Sequence, residues 1–242
     1  MVIEIVLTPF PKLHPVLRST MQDQVYRQLR DALMSGRFEP GQKLTIRGLA
    51  AALGSSPMPV REALHRLQAA HAFEITDTAR IRVGTMTLPQ LREIRDARVA
   101  LEGLLAEKAA GLIQEKDLQG LEELYRQIQH AVDATDVRRY LWANFAFHRA
   151  IYKIARAELT LAAVENFWLL MGPCFGLLAP DGAHLQRSME AHTRILHALR
   201  GGDGAAARAA VTDDIMQAAA SLALLLSAPP AQEMRVEGRK KQ

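Results

Sequence analysis

Apolar residues recur at helical spacing along most of the chain, and each run closes on a recognisable stop. Tyr26, Leu29 and Leu33 form an i, i+3, i+7 stripe that ends at Ser35-Gly36. Phe38-Glu39-Pro40-Gly41 reads as a turn, and Lys43-Leu44 as a short extended piece. Thr45 can cap a helix whose inward side is Ile46, Leu49, Ala50 and Leu53, broken at Gly54-Ser55-Ser56. Ser56 caps the next helix, with Pro57 at its first position, where a missing N–H costs nothing. Val60, Leu64 and Leu67 face inward there. Phe73–Thr76 and Arg80–Val83 are two extended stretches around Asp77-Thr78-Ala79, the pattern of a small β-hairpin.

From Thr87 onward the strand signal disappears. A long helix runs from Thr87 to Gly111, with Leu88, Leu91, Ile94, Leu101 and Leu105 at helical spacing and Pro89 in its first turn. Asp117 opens a second helix ending near Asp133, and Asp136 a third running to about Ala155. Further helices fit Glu158–Met171, with a break at Gly172-Pro173, then His184–Arg200 and Asp203–Leu226, the last two parted by Gly201-Gly202. The pattern predicts a mainly α chain: an N-terminal winged helix-turn-helix with a hairpin, followed by an all-α bundle of six or seven helices. The expected divisions are an arm over 1–18, the winged domain over 19–85, the bundle over 86–228 and a disordered basic tail over 229–242.

Composition narrows the function classes. With 49% hydrophobic and 23% charged residues, the chain can bury a real core. A single cysteine, Cys174, excludes an intrachain disulfide framework and fits a reducing compartment. The longest uninterrupted apolar stretches fall short of a bilayer span, and the apolar first ten residues lack the flanks of a signal peptide. A cytoplasmic protein with no membrane partner is expected. The net charge of +4 is unevenly spread: residues 1–85 hold eleven basic against seven acidic side chains, whereas 86–230 hold fifteen against seventeen. A basic front end suits a polyanion, although a solvated basic face would give the same excess.

The second short helix carries the chemistry for such a partner. With Val60, Leu64 and Leu67 inward, Arg61, His65 and Gln68 share the opposite face. An Arg, a His and an amide in one outward row suit phosphates and base edges in a major groove. Met58 and the free backbone N–H groups at the helix start can approach the DNA backbone.

The stretch VYRQLRDALMSGRFEPGQKLTIRGLAAALGSSPMPVREALHRL (Val25–Leu67) resembles the winged-helix domain of the GntR family of bacterial transcriptional regulators. Gly36, Pro40-Gly41, Leu44, Leu49-Ala50 and the run Pro59 to Leu64 carry the likeness in order and spacing. The resemblance implies that Arg47 and Arg61 contact DNA and that Ser56 meets a phosphate. Three positions depart from the family pattern: Pro57 stands where an Arg usually follows the capping residue, His71 replaces a Gly after the reading helix, and Asp77-Thr78 occupy the wing tip. Loss of one bidentate Arg removes roughly 1–3 kcal/mol of base discrimination, so an altered or weaker operator preference is expected, with Arg80 or Arg82 compensating.

Thr87–Leu226 resembles the FCD effector domain of the FadR subgroup, on Arg98-Val-Ala-Leu-Glu102, Phe147-His148, Glu190-Ala-His192 with Ile195-Leu196, and Gly202-Asp203 followed by Ala206. The direct passage from wing to first long helix is closest to the VanR-like branch. Many such domains hold a divalent metal with one Asp and three His residues, and those positions here are Asn144, His148, His192 and Asp214. Asn replaces Asp, and Asp replaces one His. Two imidazoles, a carboxylate and an amide oxygen leave Zn²⁺, Mn²⁺ or Ni²⁺ as the fitting ions. The other reading is a metal-free pocket in which His148 and His192 bind the effector directly. Arg98 suits a bidentate clamp on a carboxylate effector, a small organic or sugar acid, or else an ordinary ion pair within the bundle. Arg95, one turn earlier, is expected to be exposed or paired with Glu102 or a neighbour.

Together these features predict a homodimeric, ligand-responsive repressor that binds a double-stranded operator. The alternatives are a metal-dependent enzyme built on the bundle, disfavoured by the lack of a His-Glu-x-x-His spacing, and a DNA-binding protein without ligand control.

Overall fold

The structure, a computed structural model, describes residues 20–75, 80–178 and 181–227. The expected arm over 1–18, the wing tip at Asp77-Thr78 and the tail over 229–242 lie outside the described residues.

The front domain contains α1 (Met21–Met34), β1 (Lys43–Leu44), α2 (Ile46–Ala52), α3 (Pro57–Ala69), β2 (Phe73–Ile75) and β3 (Ile81–Val83). Thr20 opens α1 with a reciprocal capping box to Asp23, and Thr45 caps α2 by accepting from the Gly48 N–H at 3.0 Å. Val60, Leu64 and Leu67 are buried, as their spacing requires, against Leu29 and Leu33 of α1. The expected hairpin is a three-stranded antiparallel sheet in the order β1-β3-β2, because Lys43 and Leu44 pair with Arg82 and Ile81. His71, after α3, adopts φ +58°, the left-handed conformation for which a glycine is better suited.

The second domain is α4 (Leu88–Leu112), α5 (Glu115–Asp133), α6 (Val137–Ile154), α7 (Glu158–Phe175), α8 (Gly182–Arg200) and α9 (Gly204–Ser227). Two starts fall earlier than the sequence suggested. Gln114 forms a capping box with Asp117, so α5 begins at Glu115, and Asp181 caps α8 at Gly182. The expected break at Gly172-Pro173 is absent: α7 continues to Phe175. Packing decides this, since both residues are buried and Gly172 lies hard against α1, where an added Cβ would sit 2.0 Å from the Leu33 carbonyl oxygen. The glycine serves close approach rather than termination.

Helix α9 is long and apolar enough, by length and composition, to cross a membrane. It nevertheless carries Arg208, Asp213 and Asp214 and packs against α4 and α8. One continuous apolar core runs from Val25 and Leu33 in the front domain to Leu199 and Ile215 in the bundle, with a satellite cluster around Leu91, Met171 and Leu222.

Candidate functional site

Two regions carry the predicted chemistry. The first is the outer side of the front domain. Ser56 occupies the N-cap position of α3 but makes no side-chain capping bond. The cause is local: Pro59 stands at the third helical position, so the N–H that a capping hydroxyl usually receives does not exist. The expected cap is therefore positional only. Arg47, Met58, Arg61, His65, Arg80 and Arg82 are all exposed, while Gln68 is half-buried. On the sheet, Arg82 stands in register between Lys43 and Glu74. Arg66, which periodicity alone did not single out, stacks 3.8 Å from the Tyr26 ring centroid and pairs with Asp23 at 3.2 Å. It ties the reading helix to α1.

The second region is a cavity in the bundle. Helices α6, α8 and α9 bring His148, His192 and Asp214 together, with donor atoms all within 4.8 Å of one another. His148 Nε2 lies 3.1 Å from His192 Nε2 and 3.3 Å from Asp214 Oδ2. Neighbouring ligands on a tetrahedral ion at 2.0–2.1 Å stand about 3.3–3.4 Å apart, so the spacing suits a metal. Asn144, one turn before His148, lines the same cavity, and its Oδ1 is buried with no hydrogen-bond partner. An orphaned amide oxygen beside two imidazoles and a carboxylate is a donor set that fits a divalent cation.

The surrounding hydrogen bonds orient one imidazole toward the cavity. Tyr152 donates its O–H to Glu102 Oε2 at 2.8 Å, so toward His148 Nδ1, 3.4 Å away, it can only accept. That places a proton on Nδ1 and leaves Nε2 as the atom that faces His192 and Asp214, the nitrogen that a cation would take in place of the Asp214 hydrogen bond. Burial pushes the His192 imidazole down to about 4, which keeps it neutral near pH 7. Burial alone would raise the Asp214 carboxyl, but the hydrogen bond from His148, ahead of the neighbouring imidazoles and Arg98, more than offsets this and holds it at about 2. His192 Nδ1 is buried without a partner, so the supporting shell is complete for His148 only.

Arg98 is buried and its fork is largely committed. Nε meets Glu102 Oε1 at 2.5 Å, Nη2 meets Oε2 at 3.3 Å, and Nη1 lies 3.5 Å from Met171 Sδ. Glu102, fully buried, also accepts from Trp168 Nε1 at 3.0 Å. Every carboxylate lone pair on Glu102 is thereby matched to a donor, and the Arg98 charge is neutralised where it stands. The guanidinium still lines the cavity, so only its remaining N–H groups can meet a ligand. Arg95 pairs with Asp96 at 2.7 Å and has no bond to Glu102.

Several cavity residues were not legible in the sequence. His184, Ser188 and His192 share one face of α8 at i, i+4, i+8, and His184 carries a buried, unpartnered Nδ1. Tyr140 donates to Ser188 Oγ at 3.2 Å, and burial raises its hydroxyl to about 12. The i, i+4 spacing was available as a signal. The contribution of Met34 and Ser35 from α1 was not, because nothing local indicates which helix closes the bundle.

Comparison with known proteins agrees with both halves. Residues 21–83 match the model of bacterial regulatory proteins of the gntR family, and residues 93–217 match the FCD domain. The chain is 31% identical over 196 residues to the HTH-type transcriptional regulator McbR of Escherichia coli, covering 80% of this chain and 89% of that one. It is 28% identical over 202 residues to a probable D-xylose utilization operon transcriptional repressor of Paenarthrobacter nicotinovorans, covering 82% and 87% of the two chains. The solved structure of E. coli McbR/YncC superposes with a TM-score of 0.81 at 29% identity, over 86% of this chain and 99% of that one. The matched proteins are transcriptional regulators rather than enzymes. This chain therefore belongs to the GntR family of bacterial transcriptional regulators, with an FCD domain as its helical half.

Proposed function

We propose that this regulator is a cytoplasmic, homodimeric repressor whose operator binding is controlled by a small carboxylate effector held in the bundle with a divalent metal. The observation that carries the reading is the convergence of His148, His192, Asp214 and the orphaned Asn144 Oδ1 from three helices on one buried cavity. Zn²⁺, Mn²⁺ or Ni²⁺ would be held by these four residues. The metal would supply a Lewis-acid anchor for a carboxylate oxygen. The residual N–H groups of Arg98, fixed in place by Glu102, orient the acid, and His184 offers a further hydrogen-bonding nitrogen. In the front domain, Arg47, Ser56, Met58, Arg61, His65, Arg80 and Arg82 form the DNA-facing set, and two reading helices of a dimer would enter successive major grooves.

Elemental analysis of protein purified without chelator tests the metal. The expected outcome is about one divalent ion per chain in the wild type and at least a tenfold loss in His148→Ala, because a missing first ligand and its support typically cost that much affinity. No metal in either preparation would sink the metal-assisted reading. Release of a labelled upstream DNA fragment by carboxylic acids tests the control; retention of DNA at every concentration would favour a regulator without ligand control.

A further inference from the structure

We propose that the effector site is shared between the two domains: the last turn of α1, at Met34 and Ser35, is part of the ligand-binding surface and moves when an acid larger than the cavity binds. This rests on the reading of the cavity as the effector site.

Met34 and Ser35 belong to the DNA-binding domain, yet both are buried and line the cavity together with Arg98, Asn144, His148 and Asp214. The space accessible to water is about 50 Å³. That is room for about three or four water molecules. Acetate fits such a volume, whereas a six-carbon tricarboxylate exceeds it and presses on the residues that line the cavity.

The walls are not equally fixed. Four of them are helices of one bundle cross-tied by buried polar bonds: Trp168 of α7 and Tyr152 of α6 to Glu102 of α4, and Tyr140 of α6 to Ser188 of α8. The α1 wall comes from another domain, and the hydroxyl of Ser35, the residue that caps α1, is bonded only back to that helix, to the Asp31 carbonyl at 2.6 Å and the Ala32 carbonyl at 3.5 Å.

Behind this wall there is no slack. Gly172 of α7 touches the Leu33 backbone so closely that a Cβ would clash at 2.0 Å. Gly36, at φ +68°, sits where a Cβ would lie 3.0 Å from the Gly172 carbonyl oxygen and 3.2 Å from the Leu141 side chain. Arg30 of α1 pairs with Glu165 of α7 at 3.4 Å, and Glu165 also takes Arg149 of α6 at 2.7 Å. Close-packed contacts of this kind shift as units rather than compress. A ligand that pushes on Met34 and Ser35 therefore moves α1 as a body, and α3 rides on α1 through the buried core and the Arg66–Asp23 pair. The ligand then biases the reading helix only by the difference in its affinity for the two placements of α1.

The test uses the full chain loaded with Zn²⁺, with acetate and citrate as probes, read by calorimetry and by hydrogen exchange over residues 31–36. Citrate is expected to bind and to raise exchange there roughly fivefold, whereas acetate leaves it unchanged. Ser35→Leu, which fills the cavity from the α1 side, is expected to weaken citrate by at least about thirtyfold while Zn²⁺ alone binds as before. Met34→Ala, which opens the wall, is expected to tighten citrate about tenfold and carries the test if the leucine variant does not fold. Wild-type citrate affinity in both variants, with unchanged exchange in α1, overturns the shared site but leaves the effector pocket standing. Failure of the wild type to bind either acid overturns both.

Discussion

Replacing Glu102 with alanine is expected to destabilise the protein by about 3–5 kcal/mol, because Arg98 is left as an uncompensated buried charge. The same substitution leaves Tyr152 O–H and Trp168 Nε1–H without their acceptor in the core. For a chain of this size the melting temperature should fall by roughly 6–20 °C. Chemical denaturation of the wild type and Glu102→Ala, with a paired Arg98→Met/Glu102→Leu variant, reads the effect. The double variant should recover only the part due to the unpaired charge, since Tyr152 and Trp168 still lack their acceptor. A single-variant cost below about 1 kcal/mol would mean that Arg98 finds water or another anion and that the buried network is not what holds α4 to α6 and α7.

Arg61→Ala is expected to weaken DNA binding about ten- to a hundredfold, the loss of one contact worth roughly 1–3 kcal/mol at a base edge. The side chain is exposed on α3, whose other face is sealed by Val60, Leu64 and Leu67, so truncation removes a contact without opening the core. Fluorescence anisotropy on a labelled fragment flanking the gene, repeated across salt concentrations, separates two roles. A base contact relaxes discrimination against competitor DNA; a phosphate contact weakens all sequences alike and reduces the salt slope by about one. Unchanged affinity at low salt, with the fold intact, would remove Arg61 from the interface.

Most of the architecture was legible because caps and periodicity are local. Thr20, Thr45, Thr87, Asp136 and Asp203 each stand immediately before a helix and receive a backbone N–H from its first turn. Where one local signal misled, either a neighbouring residue or a long-range contact overrode it. Gly172-Pro173 reads as a helix stop, yet α7 continues because its glycine is pressed onto α1. Ser56 reads as a cap, yet Pro59 removes the N–H it would serve. The pairing of Lys43-Leu44 with the hairpin spans about forty residues and has no local signature.

The amino-acid order by itself determined the elements, the outward row of Arg61 and His65, and the positions from which metal donors could come, since these depend on helical spacing and side-chain chemistry alone. Tertiary structure decided which of those groups meet. It placed His148, His192 and Asp214 within 4.8 Å of one another across three helices. It spent most of the Arg98 fork on Glu102, and it closed the cavity with Met34 and Ser35 of the DNA-binding domain. The physical reason is range: hydrogen bonds and close packing act over a few ångströms, and only the folded chain brings residues a hundred positions apart to that distance.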